Sequence, residues 1–497
     1  MWHSASVVTS AADGPSLDAP RMTRSRSLLA LVFTATVMLA LNATMLNIAL
    51  PTVVRDLGAT AVQGNWMLLA YLIPYGSMLV LMGQLSDSSD KRLVFLGGLS
   101  VFTLASLGLA LAPDAWWFIG LRAVQGAGAA MLLSTAAAMI AVVFPPSRLA
   151  GPMGVYLSGF AIAQVAGPNV GGLLVTLVGW RALFLVNVPI GLVAFVWAWV
   201  LLKDLPKGQP HHGRRVDPWG NGLIFVGMTA LLFALSQAER SGWLDPMVVG
   251  GVLVFAVTLP VFWYVERRVD NPAIDIDLLK QRSFALANYA GFALAIPRLV
   301  SALLLSLYFQ GFQGDSPLVA AFKITPLALA VTVGSLGVKH VAKAVDDRRD
   351  ALGFAIASTL GLTMMLIGLA EDGSLAWLIA GMVVMGFSTG VFSALNSSII
   401  LRSVHSTRAG SVNGVRTMFQ VAGLSIGTAL TLSLVTSALT PDQSQAFFSG
   451  DASGLSLHSL DLLARGYQLA FGAMLALMLL AVLASIALVR HRVRVLP

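Results

Sequence analysis

The feature that most constrains this chain is a series of fourteen apolar segments, each long enough to cross a bilayer. A span needs about 20 mostly apolar residues to cross a hydrocarbon core of about 30 Å. Only 11% of the 497 residues are charged, against about 25% in ordinary globular proteins, so a soluble surface is excluded. The sequence predicts an all-α polytopic membrane protein with spans at 28–50, 66–82, 93–112, 116–143, 150–175, 183–202, 218–237, 247–265, 284–310, 319–338, 351–370, 375–398, 411–438 and 466–489.

Lysine and arginine are distributed unevenly between the two predicted sides of the membrane. With a cytoplasmic N-terminus, the cytoplasmic segments hold 23 of the 31 basic residues, the external side holds 5 including Lys323 at the outer end of the tenth span, and the span interiors hold 3. Because cytoplasmic loops carry an excess of Lys and Arg, both termini are predicted to be cytoplasmic. We expect a monomer in the cell membrane, with the lipid bilayer as its main partner.

Two long cytoplasmic loops divide the fourteen spans. The loops at 203–217 and 266–283 bracket one helical hairpin. The predicted organisation is therefore a cytoplasmic tail (1–27), a six-helix bundle (28–202), a linker with two extra spans (203–283), a second six-helix bundle (284–490) and a second tail (491–497).

Several classes of function are excluded or disfavoured. The chain has no cysteine, so disulfides, iron–sulfur clusters and thiolate zinc sites are excluded. It has no G-x-x-x-x-G-K-[ST] motif, which argues against ATP as the energy source. No acidic residue lies deep in a span and every histidine maps to a tail, a loop or a span edge, so a membrane-embedded enzyme is the disfavoured alternative. We expect no cofactor, no metal and no nucleic-acid partner.

Five motifs lie at successive helix positions. They are LNATMLNIALP at 41–51 in the first span, GQLSDSSDKR at 83–92 after the second, RAVQGAG at 122–128 in the fourth, Gly154 with GPNVGG at 167–172 in the fifth, and WRALFLVNVPIG at 180–191. Read together, they resemble the major facilitator superfamily, specifically its fourteen-helix drug–proton antiporter branch. The resemblance extends from about residue 28 to residue 490.

The resemblance implies a major facilitator fold and a secondary active exporter of small amphipathic compounds that works by alternating access, with protons as the expected coupling ion. It also implies a gate, in which the 83–92 loop latches the outward-facing state, with Gly83, Asp87, Lys91, Arg92 and the fourth-span Arg122 as its residues. From its position we expect Asp87 to meet the N-terminus of the third span. The antiporter motif comprises Gly154, Gly167, Pro168, Gly171 and Gly172, and Pro168 is expected to bend the fifth span.

The chain departs from the family at one informative position. Asn42 stands where the branch usually has an aspartate, and asparagine cannot carry a proton. Arg122, Arg298 and Arg416 lie inside spans, where a charge costs at least about 2.5 kcal/mol and usually faces a cavity. The predicted substrate cavity is lined by Asn42, Tyr71, Gln125, Arg298, Tyr308, Asn396, Arg416 and Gln420. An organic-anion or lipid transporter of the same fold remains an alternative.

Overall fold

The computed structural model describes residues 19–145, 148–204, 216–269, 271–315, 317–341, 347–370, 374–404, 408–440, 443 and 457–490. Over these residues the chain is helical and contains no strand, which confirms the predicted all-α class. Most of the two predicted tails and the loop 441–456 lie outside the described residues.

The first half of the chain forms six spans from eight helices. They are α1 (Ala19–Asp56), α2 (Ala61–Ser77), α3 (Leu79–Ser88), α4 (Lys91–Ala110), α5 (Ala115–Val143), α6 (Ala150–Leu177), α7 (Ala182–Leu185) and α8 (Asn187–Leu201). The axes of α2 and α3 differ by 42°, next to a Gly76-Ser77 pair of the kind at which helices bend.

An inserted hairpin and a second set of spans follow. The hairpin is α9 (Pro218–Ser241) and α10 (Pro246–Glu266), and the second half contains α11 (Ile276–Lys280), α12 (Arg282–Leu307, continued by a π-helical turn at Tyr308–Phe312), α13 (Pro317–Val341), α14 (Asp347–Ala370), α15 (Leu375–Arg402), α16 (Ala409–Thr436) and α17 (Leu457–Arg490).

The number of membrane spans agrees with the sequence prediction. Among the described residues, twelve segments are long and apolar enough to cross a membrane, and the two bent segments, α2–α3 and α6, bring the number to fourteen. The largest differences lie at the two ends: α1 begins at Ala19 instead of residue 28, and α17 begins at Leu457 instead of residue 466. Both extensions contain charged residues and continue a helix beyond its uninterrupted apolar run.

Aspartates at the edges of the spans start many of these helices. The side chains of Asp90, Asp114, Asp217, Asp245 and Asp275 accept hydrogen bonds from backbone N–H groups in the first turns of α4, α5, α9, α10 and α11. A carboxylate there satisfies orphan donors and the positive end of the helix dipole. These acids therefore have a structural reason to lie at the ends of the spans.

Two buried apolar clusters form the cores of the two halves. One is built mainly from α1 to α9 and the other mainly from α12 to α17. The halves meet where α3 and α5 pack on α16 and where α6 packs on α13 and α15. Helix α9 packs on both α2 and α16, whereas α10 packs on α9 and is almost entirely unburied. The hairpin therefore lies beside the junction of the halves.

Candidate functional site

A buried arginine organises the middle of the first half. Arg122 in α5 is 2% exposed. Its Nη1 donates to Oδ1 of Asn42 in α1 at 3.0 Å and to Oε1 of Gln125 at 2.7 Å, and its Nε donates to the carbonyl of Met67 in α2 at 3.2 Å. The guanidinium also lies over the Tyr71 ring, 4.3 Å from its centroid. We name these four side chains, Arg122, Asn42, Gln125 and Tyr71, the Arg122 cluster.

The Arg122 cluster is satisfied without a carboxylate. Gln125 Nε2 donates to Ser106 in α4 at 2.8 Å, so the side-chain amides of Asn42 and Gln125 both have hydrogen-bond partners. Asn42 is 2% exposed and its oxygen is occupied by Arg122. In this conformation, Asn42 therefore holds a buried cation.

A second arginine lies at the junction of the two halves. Arg416 in α16 is 8% exposed; its Nη2 donates to Oδ1 of Asn413 at 2.9 Å and its Nη1 to Ser397 in α15 at 3.2 Å. Asn413 Nδ2 donates across the junction to the carbonyl of Leu133 in α5, at 2.9 Å. Tyr156 of α6 lies beside Asn413. We name Arg416, Asn413, Ser397 and Tyr156 the Arg416 cluster.

Two tyrosines of α2 connect the two arginine clusters. Tyr71, which lies under Arg122, stacks on Tyr75 with ring centroids 5.7 Å apart and planes 10° apart. Tyr75 in turn lies within electrostatic range of Arg416. The structure thus brings five predicted residues into one continuous polar region (Asn42, Tyr71, Gln125, Arg122 and Arg416).

Arg298 differs from both of these arginines. It is half-buried in the middle of α12 and has no hydrogen bond, ion pair or ring contact with any other described residue. It lies two turns after Gly291, on the same helix face. A Cβ atom on Gly291 would come within 2.5 Å of Nδ2 of Asn396, so this face is directed toward α15.

Two further predicted cavity residues, Gln420 and Tyr308, lie in different parts of the molecule. Gln420 is half-buried one turn after Arg416, on the same face of α16. Tyr308 is buried elsewhere, at the end of α12, where its ring packs edge-on against Tyr467 with centroids 5.4 Å apart. Tyr308 therefore belongs to an aromatic cluster of the second half and is not brought together with the arginines.

Asp87 joins the two halves at the end of the bundle where α1 begins, here termed the termini end. Its carboxylate accepts hydrogen bonds from the backbone N–H groups of Gly410 and Ser411 at 2.9 and 2.8 Å and from the Ser411 hydroxyl at 2.6 Å. Lys91 approaches the same carboxylate at 3.4 Å. The helix N-terminus that Asp87 meets is that of α16 in the other half, and the expectation of the third span was wrong.

Asp90 explains why α4 does not need Asp87. It accepts the N–H of Arg92 at 2.9 Å and caps α4 itself. Arg92 turns away and donates to the carbonyl of Trp199 in α8 at 3.2 Å, with its guanidinium 4.9 Å from the Trp199 ring centroid. The carboxylate of Asp90 thus has a local structural role.

Glycines bring α3 and α16 close enough for the Asp87 contact. A Cβ on Gly83 would lie 2.5 Å from the carbonyl oxygen of Gly410, and a Cβ on Gly410 would lie 2.8 Å from the Asp87 carboxylate. A Cβ on Gly414 would collide with the carbonyl of Leu79. Gly410 and Gly414 form a G-x-x-x-G pattern typical of close helix pairs in membranes, and this signal was missed in the sequence. We name Gly83, Asp87, Gly410, Ser411 and Gly414 the latch.

The antiporter motif of α6 contacts both halves. A Cβ on Gly154 would collide with the carbonyl of Ser335 in α13, across the junction. Cβ atoms on Gly167 and Gly171 would press on Thr44 and Met45 of α1, in the same half, whereas Gly172 has no neighbour within 4 Å. The two parts of α6 meet at 48° between Gln164 and Asn169, a segment that contains Pro168, as expected for a proline in a span.

At the opposite end, the ion pairs among the described residues stay inside each half, and the Trp243 indole of the hairpin loop donates to Ser433 of α16 at 3.1 Å. Asp56, the last residue of α1, accepts hydrogen bonds from the Trp180 indole at 2.8 Å and from Arg181 at 2.7 Å. These two donors hold the pKa of Asp56 below its usual range. In the second half, Lys323 pairs with Asp315.

Comparisons with known proteins give one family. The model described as Major Facilitator Superfamily matches residues 32–428. A probable actinorhodin transporter of Streptomyces coelicolor is 30% identical over 432 residues, which cover 84% of this chain and 74% of the relative. The multidrug resistance protein Stp of Mycobacterium tuberculosis is 29% identical and covers 79% of this chain and 72% of its own length. The crystal structure of the human organic anion transporter MFSD10 (TETRAN) superposes on this chain with a TM-score of 0.63. The superposition covers 93% of this chain and 99% of that one, and at 15% sequence identity the similarity shows the fold alone.

Proposed function

This chain belongs to the major facilitator superfamily, and on that premise we propose that it exports small amphipathic compounds from the cell by alternating access, driven by protons. The protein is a multi-pass membrane transporter and not an enzyme. The observation that carries the proposal is the latch, in which Asp87 of one half binds the helix N-terminus of the other half at the termini end. The relatives named for multidrug resistance and actinorhodin transport support export as the direction.

The orientation follows from charge. The termini end carries most of the basic residues, which supports a cytoplasmic location for this end in the cell membrane. A closed latch at the cytoplasmic end corresponds to an outward-facing state. We expect a single chain to carry out the cycle, and Arg122, Asp87, Lys91 and Arg92 to act in coupling and gating.

The substrate cavity should be electropositive. Within the described parts of the chain, Arg122, Arg298 and Arg416 form no ion pair with a carboxylate. A positive charge without a counter-ion in a medium of low dielectric attracts anions and repels cations. We therefore propose neutral or anionic amphiphiles as the preferred substrates, with Arg298 and Gln420 as the side chains free to contact them.

Efflux from proteoliposomes tests the export proposal. Matched cationic, neutral and anionic dyes would be loaded, and efflux measured with and without an imposed pH gradient. We expect a gradient to stimulate export of the neutral and anionic dyes more than export of the cationic dye. Efflux of none of the dyes in either condition would contradict the export proposal, and scrambling of labelled lipid by the same vesicles would favour the lipid alternative.

Two substitutions test the charge preference. Arg298→Ala should lower efflux of the anionic dye more than efflux of the neutral dye, whereas Lys280→Ala, which removes a cation exposed on α11, should leave the ratio unchanged. Asn42→Asp places a carboxylate beside Arg122 and should shift preference toward the cationic dye. Strong efflux of a dicationic dye by the wild type, unaffected by Arg298→Ala, would overturn the charge assignment.

A further inference from the structure

Two carboxylic acids that the proposed transport cycle does not use are buried side by side at the base of the inserted hairpin. Asp217 precedes α9 and accepts the N–H groups of Trp219 and Gly220, both at 3.0 Å. Glu266 is the last residue of α10. Asp217 is 2% exposed and Glu266 is 3% exposed, although each was assigned to a solvated loop by its position in the sequence.

The two carboxyl groups are close neighbours. The position that a Cβ on Gly220 would take lies 2.1 Å from Oε1 of Glu266 and 2.3 Å from Oδ2 of Asp217, so both oxygens face one point. Oδ2 of Asp217 is fully buried and receives no N–H or O–H donor from the described residues. Two ionised carboxylates this close repel each other, whereas one proton held between them removes the repulsion and gives Oδ2 of Asp217 a donor. We propose that Asp217 and Glu266 jointly bind one proton, and that this proton locks the latch.

The segment after α10 transmits the state of the acid pair. We name residues Asn271–Asp275 the strap. Glu266 accepts the N–H groups of Ala273 at 3.2 Å and of Ile274 at 3.4 Å, so it fixes the middle of the strap. Both carboxylate oxygens of Glu266 are bonded to the strap, so a displacement of Glu266 would displace the strap as well.

The strap connects the hairpin to both halves. In the first half, Gln84 of α3 donates to the carbonyl of Pro272 at 2.9 Å and accepts a hydrogen bond from Asn221 of α9 at 2.6 Å. On the other side, Asp275 forms an ion pair with Arg408, the residue before α16. The strap therefore bridges α3 and α16, the two helices that the latch joins.

The strap also lies next to the latch. The carbonyl of Arg408 accepts the Ser411 hydroxyl at 3.3 Å, and the same hydroxyl binds Asp87. A cavity of about 80 Å³ lies between the strap and the latch. It is lined by Gln84, Asp87, Ile274, Asp275, Arg408 and Ser411. Displacement of the strap would thus disturb the Ser411 contact and open a path to Asp87.

Loss of the shared proton would leave two negative charges in contact in a buried site. Like charges so placed repel strongly, and neither has a compensating cation among the described residues. Directly after α10, Arg267 and Arg268 lie over the rings of Trp263 and Tyr264. Near the strap, Asp275 is paired with Arg408 and Asp277 with Lys280, and on α3, Asp87 is paired with Lys91. The charged residues of segment 205–215 lie outside the described residues. Rising pH at the termini end should therefore release the strap and weaken the latch.

Spin-label distances across the termini end measure the latch directly. The chain has no cysteine, so Ser89→Cys beside α3 and Ser403→Cys beside α15 can be labelled without background. In wild-type protein in lipid nanodiscs, we expect the open fraction to rise with pH, by at most about 10-fold in the open-to-closed ratio per pH unit, which is the limit for one proton.

Two isosteric variants should remove this pH response. In Asp217→Asn the amide oxygen still caps α9 and the amide nitrogen offers an N–H to Glu266 without a shared proton. In Glu266→Gln the amide nitrogen can donate to Asp217 but cannot accept a strap N–H, so this variant should also lower the closed fraction at every pH. The matched control is Asp277→Asn, an exposed carboxylate beside the strap whose loss should leave the response intact. Infrared spectra supply an independent measurement: a protonated-carboxyl band of the wild type should be absent from both isosteric variants.

The proton-lock proposal rests on the export proposal in one respect, because it treats the latch as a gate. The outcomes below distinguish the two proposals. A spin-label distance that does not change with pH in the wild type would overturn the proton lock. A distance that changes with pH in Glu266→Gln and Asp217→Asn as much as it does in the wild type would also overturn it. A pH-dependent distance that both variants abolish would support the lock even if no dye were exported. Dye export with a pH-independent latch would leave the export proposal standing and reject the lock.

Discussion

The two ends of the molecule hold their polar contacts in different ways. At the termini end, Asp87 of the first half binds the start of α16, and Gly154 of α6 presses on α13. At the opposite end, Asp56 binds Trp180 and Arg181 within the first half.

This difference shows where the conformational state is set. Contacts inside one half survive a rocking motion of two rigid bundles, whereas contacts across the junction must break and form again. Variants at the termini end should therefore change the gate equilibrium and transport. Variants at the opposite end should change only the stability of one half.

The largest effect is expected from Asp87→Asn. An amide lacks the charge that strengthens three hydrogen bonds to α16, and bonds to a charged group contribute on the order of 1.5–3 kcal/mol. We expect efflux to fall by roughly 100-fold, for a loss of about 3 kcal/mol, while the protein still folds and inserts. Dye efflux and the Ser89–Ser403 spin-label distance measure the two consequences.

Asp90→Asn is the matched control for that variant. It changes a carboxylate three residues away, and asparagine caps a helix about as well as aspartate. Efflux near the wild-type level is expected. Equal losses in the two variants would mean that the loop responds to its net charge and that Asp87 has no special role.

Gly154→Ala should have the next largest effect. The added Cβ would meet the backbone carbonyl of Ser335, which has no flexible end to move away, so α6 must shift from α13. Overpacking of this kind costs about 1–3 kcal/mol, and a drop in efflux of roughly 10-fold is expected. Gly151→Ala, one turn earlier in open space, is the control and should transport normally. Wild-type efflux by both Gly154→Ala and Gly151→Ala would show that the α6–α13 contact does not limit the transport cycle.

Asn413→Ala should weaken the junction more mildly. It removes the hydrogen bond to the Leu133 carbonyl and the contact with Tyr156 across the junction, and the acceptor of Arg416 within α16. A hydrogen bond is worth about 1 kcal/mol, which predicts a roughly 5-fold shift of the gate equilibrium toward the open latch. Ser425→Ala, whose hydroxyl binds only within α16, should leave the spin-label distances unchanged. A shift of the same size in both variants would refute a specific role for Asn413.

The spans could be predicted because each depends on a local property. An apolar run of about 20 residues determines that a segment crosses the membrane, whatever it packs against. The early start of α1 at Ala19 and of α17 at Leu457 could not be read this way, because polar turns carry no apolar run.

The site was predictable only in part. Arg122 and Gln125 are three residues apart on one helix, so their contact follows from helical spacing. Asp87 and Gly410 are separated by 323 residues, and only the packing of two bundles brings them together. Asp217 and Glu266 looked like loop charges because their burial depends on the hairpin and the strap. The one missed signal within the sequence is the Gly410–Gly414 pattern.

The smallest effect is expected at the opposite end, from pH acting on Asp56. Its pKa is lowered by the hydrogen bonds from Trp180 and Arg181, so the ionised form is favoured in the folded state. The resulting stabilisation is complete above the usual pKa of an aspartate and is lost as pH falls through the lowered value. Asp56→Asn should therefore reduce the melting temperature slightly near neutral pH, and the difference from wild type should vanish in acid. The spin-label distance across the latch should be the same in both proteins at every pH, because this contact stays within one half. A latch that opened in Asp56→Asn would mean that the two ends are coupled.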